Sequence, residues 1–340
     1  MNRPTVALRI RTRTAVVIAV AIAAAFLFAY ALSSQPAKAV RISGSSVKEM
    51  PLTDFLTQDL NPYSPEANVR IDIPLLAALA SNVYQPEDAP EDSCQEATVG
   101  RIPTPGWERL TGWATPAVCN DALNGLHFEV WGRLGEDGRM YAIITFRGTI
   151  PTVLAHWCSN LREVLSPICD PTSDQYLTIA PLIDSILTGL YDDWGPDRYV
   201  VVVGHSLGGG LAELAASSSK INSIYTFDTS PVVSNDIAAQ LFQAFENDDV
   251  PRAFLKKYSE NAQCNYWAND APHQNAITFN RVYESKELLE PVRWLSQRLQ
   301  FRKASVARDN VVEYRTSLLS GNPIQQHSMR DLACAMQRAR

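Results

Sequence analysis

Apolar residues recur along this chain with two periods. Between Ile71 and Tyr84, Leu75, Ala78, Leu79 and Val83 return at helical spacing. In Asp174–Trp194, Leu177, Ala180, Ile183, Ile186, Leu187 and Leu190 form one helical stripe, and Pro151–Val164 also reads as a helix. Leu126–Leu134 and Arg139–Phe146 are alternating or apolar runs split by Gly135-Glu136-Asp137-Gly138, which predicts a β-hairpin. Tyr199 and the four valines Val200–Val203 suit a central strand buried on both faces. Leu207–Ser218 is helical, and Ser223–Phe227, Ala276–Tyr283 and Val311–Leu319 read as further strands. Strands alternating with helices predict an α/β fold with a mostly parallel sheet and helices on both faces.

The N-terminus breaks this pattern. Ala15–Leu32 is eighteen consecutive apolar residues, preceded by Arg3, Arg9, Arg11 and Arg13 with no acid. A bilayer span needs about 20 apolar residues and a signal-peptide core about 7–15. The length favours an uncleaved N-terminal hydrophobic helix, a transmembrane anchor with its N-terminus in the cytoplasm. The alternative is a signal segment cleaved at Ala37-Lys38-Ala39 or Ala29-Tyr30-Ala31, both of small-x-small form. Either way the body of the protein is expected on the exported side, membrane-anchored or secreted. The chain divides into 1–39, a basic region plus apolar segment; 40–70, a polar tether; and 71–340, a single α/β domain.

The 340 residues are 46% hydrophobic with a net charge of −6, which excludes a disordered chain and gives no electrostatic basis for nucleic-acid binding. All six cysteines follow the apolar segment. In an oxidising compartment they form up to three disulfides, with Cys94–Cys119 and Cys158–Cys169 the short-range pairings. No HExxH, paired-Cys, P-loop or GxGxxG pattern is present, so neither metal nor cofactor is expected.

The candidate chemistry lies directly after the valine strand, in Gly204-His205-Ser206-Leu207-Gly208-Gly209-Gly210, followed by a helix. This is G-x-S-x-G in the strand–turn–helix setting of a nucleophile elbow. Glycines permit the sharp turn that lifts the Ser206 hydroxyl to the carboxyl edge of the sheet, and the Leu207 amide becomes an oxyanion donor.

Several motifs in order resemble the class 3 (triacylglycerol) lipases of the α/β-hydrolase superfamily. They are Leu76–Ala80 followed by Tyr84, Ile144-Thr145-Phe146-Arg147-Gly148-Thr149, Trp157 with Asn160, the elbow itself, and Tyr225-Thr226-Phe227 with Ser230-Pro231. The resemblance covers roughly residues 70–335. It implies an α/β-hydrolase fold, ester hydrolysis without a cofactor, and a second oxyanion contact from Thr149. Arg147 is expected in a structural ion pair.

Of the five histidines, His327 fits the base, because it follows the last strand and a turn at Ser320–Pro323. His205 lies inside the elbow, His127 in a strand, His156 in a helix, and His273 before a strand, at the wrong sheet edge. The acid departs from the family pattern. Asp228 stands where the resemblance implies Gly, and the segment after the next strand has no Asp but carries Glu284 and Glu287. Asp228, at a strand's carboxyl end, is the favoured acid, with Glu287 the alternative and Glu284 a weaker one. Ser234–Gln274 reads as a lid or acyl-binding wall against a plain crossover, and Leu288–Arg308 as a basic amphipathic helix or an ordinary solvated face. The expected function is a serine hydrolase of lipid esters using Ser206, His327 and one of these carboxylates. The alternatives are a catalytically silent lipid- or partner-binding protein and an acyltransferase.

Overall fold

The valines of the central strand alternate between two cores. Val200 and Val202 face one and Tyr199, Val201 and Val203 the other, as a strand covered on both sides requires. The computed structural model describes residues 39–43, 48–86, 88–92, 94, 100–110, 118–120, 125–150, 175–195, 197–215, 221–230, 279–285, 287, 289–290, 311–320 and 322–340. The apolar segment 15–32, the helix expected over 151–164, the region 234–274 and most of 288–308 lie outside these residues, as do Cys158, Cys169, His156 and His273. Among the described residues, no helix is long and apolar enough to cross a membrane.

The elements in chain order are β1 (Ala39–Ser43), β2 (Lys48–Pro51), α1 (Leu52–Thr57), α2 (Ser64–Ala67), α3 (Ile73–Asn82), β3 (Glu108–Arg109), β4 (Val118–Asn120), β5 (His127–Leu134), β6 (Met140–Phe146), α4 (Gln175–Trp194), β7 (Arg198–His205), α5 (Leu207–Leu214), β8 (Ser223–Phe227), β9 (Phe279–Glu284), β10 (Val311–Thr316), α6 (Pro323–Gln326) and α7 (Met329–Ala339). The strands form one sheet in the order β2-β1-β10-β9-β8-β7-β6-β5-β3, with β4 also on β5. From β6 to β10 every neighbouring pair is parallel, and the outer pairs are antiparallel. The central sheet is therefore mostly parallel. The hairpin read from Gly135–Gly138 is present as β5–β6.

Helices α4 and α5 cover one face through Ile179, Ile183, Ile186, Leu187, Leu207 and Leu211. Helices α3 and α7 cover the other through Leu76, Leu79, Met329 and Leu332. The start of α3 is fixed by Asp72, whose carboxylate accepts the Leu75 amide at 3.0 Å, with Pro74 in the first turn.

Two expectations need correction. Residues 40–70 are not a tether. They contribute β1 and β2 to the sheet edge and α1 and α2 beside it, with Phe55 and Leu56 fully buried in the α3–α7 core. Their polar composition hid a small number of well-placed apolar residues. Cys94 pairs with Cys334, not with Cys119. The last helix returns to pack beside Asp92, Cys94 and Gly100, so proximity in space overrides proximity along the chain.

Candidate active site

Ser206 joins β7 to α5 with φ 57° and ψ −125°, a positive-φ conformation that only the surrounding contacts can hold in a non-glycine residue. Its amide donates to the Phe227 carbonyl at 3.0 Å, and its own carbonyl accepts from Gly209 and Ser230, each at 3.0 Å. The turn is too tight for side chains: a Cβ at Gly204 would collide with the Gly208 carbonyl, and one at Gly208 with that of Phe146. The result is a serine raised at the carboxyl edge of the parallel strands, at the start of a helix. Strand, strained serine and helix in this order have the geometry of a nucleophile elbow.

His327 arrives from the far end of the chain. The Asn322 side chain accepts the amides of Ile324 and Gln325, each at 3.0 Å, turning the segment after β10. Ser328 then caps α7 by accepting the Asp331 amide at 3.3 Å, which fixes His327 immediately before the helix. Its Nε2 lies 3.1 Å from Ser206 Oγ, and its Nδ1 lies 2.7 Å from Glu287 Oε2. Glu287 is fully buried, and the same oxygen accepts the Leu289 amide at 2.7 Å. The serine, the imidazole and a carboxylate thus form one hydrogen-bonded line.

The carboxylate on His327 is Glu287, not the favoured Asp228. Asp228 does stand at the carboxyl end of β8, fully buried and near His205 and His327. Its positive φ of 42° turns it toward β9, where Oδ1 accepts the Glu284 amide at 2.7 Å. Glu284 is also not the partner of His327. Its carboxylate accepts from the amides of Leu318 at 3.0 Å and Leu319 at 2.9 Å and from the Thr316 hydroxyl at 2.8 Å. Burial pushes the Glu284 carboxyl above its ordinary range, those hydrogen bonds work against the rise, and the charge of Glu287 adds to it. Glu284 therefore braces the segment leading from β10 to His327.

The two expected oxyanion residues flank Ser206. Leu207 opens α5 and is buried, with its amide at the positive end of the helix. On the other side, a Cβ at Gly148 would stand 3.1 Å from that of Ser206, so the strand end leading into Thr149 passes against the serine. Sequence reading missed what holds this strand end. The Gly148 amide donates to the Tyr84 hydroxyl at 2.9 Å, and that hydroxyl lies 2.9 Å from His205 Nδ1. Burial raises the Tyr84 phenol far above its usual range, more than the Gly148 hydrogen bond and the Arg147 charge lower it. A neutral phenol has one proton to donate, and besides His205 Nδ1 it has the His205 carbonyl within reach at 3.4 Å. Only the position of Tyr84 after the opening helix hinted at this role.

Arg147 donates to the Gly125 carbonyl at 3.1 Å and so anchors the start of β5. The strong ion-pair cluster lies elsewhere. Glu129, fully buried on β5, meets Arg101 at 2.7 Å, Arg109 at 3.3 Å and the Trp131 indole at 3.2 Å, with His127 at 3.9 Å. Burial alone would raise this carboxyl, but His127 and Arg101 outweigh it and hold the group down to about 2.

A donor atom from each of His205, Asp228 and His327 lies within 4.8 Å of the others, a grouping that could hold a metal ion. His327 is already shared between Ser206 and Glu287, so an ion there would compete with the serine contact.

No family model matches the chain, and no curated protein does. Among solved structures, a fungal lipase in complex with an inhibitor is similar at 18% identity and a TM-score of 0.36, over 65% of this chain and 74% of that one. An esterase from Pyrobaculum calidifontis is similar at 14% identity and a TM-score of 0.30, over 69% and 86%. A ferulic acid esterase is similar at 10% identity and a TM-score of 0.30, over 68% and 98%.

Proposed function

We propose that the protein is a serine hydrolase of carboxylic esters, with lipid esters as its substrates. The hydrogen-bonded line from Ser206 through His327 to Glu287 carries this reading. In the proposed reaction Ser206 Oγ attacks the ester carbonyl while His327 Nε2 takes its proton. The amides of Leu207 and Thr149 stabilise the oxyanion. Collapse breaks the bond to the alkoxy oxygen, and His327 returns the proton to the departing alcohol. Water then attacks the acyl-enzyme with His327 as base, releasing the acid and restoring Ser206. Glu287 holds the imidazole in the tautomer whose Nε2 accepts, and stabilises its charged form. The elbow and strand-end motifs shared with class 3 lipases favour lipid esters over other acyl donors.

Export is part of the same proposal. The Cys94–Cys334 disulfide supports an oxidising compartment, and the apolar segment 15–32 is read as a retained anchor. Carbonate extraction of membranes from expressing cells checks retention: a chain released at alkaline pH would favour the secreted form instead.

The reaction is tested by labelling the full chain with a fluorophosphonate probe. Wild-type protein should label, and Ser206→Ala and His327→Ala should not. A folded wild-type chain that stays unlabelled, with detergent present to open any cover over the site, would refute the hydrolase reading.

A further inference from the structure

The register of the first strand fixes where the apolar segment joins the catalytic domain. β1 runs antiparallel to β10, with Arg41 opposite Arg315, Ile42 opposite Tyr314 and Ser43 opposite Glu313. β10 is parallel to β9, β9 to β8 and β8 to β7. Following the pairs across the sheet puts Ile42, Tyr314, Val282, Phe227 and His205 on one level. Ser206 is the next residue after that level. Ala39 lies three residues beyond Ile42 in the direction in which β7 ends. The chain therefore enters the sheet from its carboxyl edge, the edge that bears Ser206, Glu287 and His327.

Distances make this restrictive. Four strand spacings of about 4.8 Å separate β1 from β7, or about 19 Å across the sheet. Only Ser33–Lys38 stand between the apolar segment and Ala39. The seven Cα steps from Leu32 to Ala39 reach at most about 25 Å when fully extended. If residues 15–32 cross a bilayer, its exported surface lies within one short linker of the catalytic edge. The opposite edge, at the Gly135–Gly138 turn, lies farther off by the length of β6, about 23 Å for seven residues. The catalytic edge also presents Ile324, which is 70% exposed in α6, three residues before His327.

We infer that the anchored domain holds its catalytic edge against the exported leaflet of its own membrane, and that its substrates are lipid esters resident in that bilayer. This deepens the lipid-ester reading and rests on it for the substrate. The orientation itself rests on the retained-anchor reading together with strand register and linker length.

The test uses the full chain reconstituted in phosphatidylcholine vesicles containing a nitroxide-headgroup lipid. A fluorophore is placed by a bio-orthogonal amino acid at Ile324 or, as control, at Leu134, which is 64% exposed at the opposite edge. Quenching should be severalfold stronger at 324 than at 134. Equal quenching, or stronger quenching at 134, overturns the orientation, and so does a chain that fails to float with the vesicles. A second arm compares hydrolysis of a diacylglycerol ester in the protein's own vesicles with that in added protein-free vesicles. Cis hydrolysis should be severalfold faster, and equal rates overturn the membrane-resident substrate. Quenching needs no turnover, so a failed orientation leaves the hydrolase reading intact. Loss of Ser206 labelling with correct quenching sinks the hydrolase reading alone.

Discussion

Two carboxylates lie near His327, and their hydrogen bonds assign them different tasks. Glu287 faces Nδ1, whereas Asp228 accepts a backbone amide of β9. Glu287→Gln should lower kcat by on the order of 10³–10⁴, the scale seen when the carboxylate of a triad is neutralised. Asp228→Asn keeps an oxygen for the Glu284 amide and should cost far less. Steady-state kinetics on a soluble ester check this, and a larger loss in Asp228→Asn would reverse the assignment. Tyr84→Phe leaves the Gly148 amide and His205 Nδ1 without their shared partner. A buried polar group left unsatisfied costs about 1–3 kcal/mol. Loosening of the oxyanion strand end should appear in kcat with little change in KM, and equal effects on both would indicate a general packing defect.

At the scale of elements, the Glu129 cluster ties the 101–109 segment to β5, and its pH dependence has a definite sign. The folded-state carboxyl is held at about 2 against an ordinary 4.5. A depressed pKa contributes stability that is fully present above the ordinary value and is lost as pH falls from there toward about 2. The contribution is on the order of 3 kcal/mol at neutral pH. Glu129→Gln should therefore lower Tm at pH 7, and the gap from wild type should narrow between pH 4.5 and 2. A constant gap would mean that packing, not charge, accounts for the loss. The last helix is fastened in several ways: Cys334 is bonded to Cys94, Arg330 pairs with Asp92 and the Gly100 carbonyl, and Leu332 and Met336 are fully buried. Because Ser328, the cap of α7, follows His327 directly, the docking of this helix also positions the His327 imidazole. Reduction of this disulfide, or Cys334→Ser, should cost about 2–5 kcal/mol in thermal or denaturant unfolding. An unchanged Tm would show that the apolar face of α7 suffices.

For the molecule as a whole, five parallel strands deliver their carboxyl ends to one edge. The end of β6 leads to Thr149, β7 to Ser206, β8 to Asp228, β9 to Glu287, and β10 to the turn before His327. Much of this was legible beforehand, because it depends on local patterns. The valine run allows only a doubly covered strand, the glycines after it allow only a sharp turn, and Gly135–Gly138 closes a hairpin. Those features determined the α/β class, the place of Ser206 in the sharp turn, and His327 as the histidine following the last strand. Composition misled at 40–70, where polar residues concealed two strands and the buried pair Phe55 and Leu56. What the sequence could not decide were contacts between distant segments. Asp228, Glu284 and Glu287 all follow strands and look alike as carboxylates. Only the path of the backbone past β9 brings Glu287 to His327, while it commits Asp228 and Glu284 to backbone amides. The Cys94–Cys334 bond and the Tyr84 bridge to Gly148 and His205 have the same character. Local hydrophobic period and turn chemistry are properties of neighbouring residues and can be read in order. Which buried polar group meets which is set by how the completed sheet and its helices close over them.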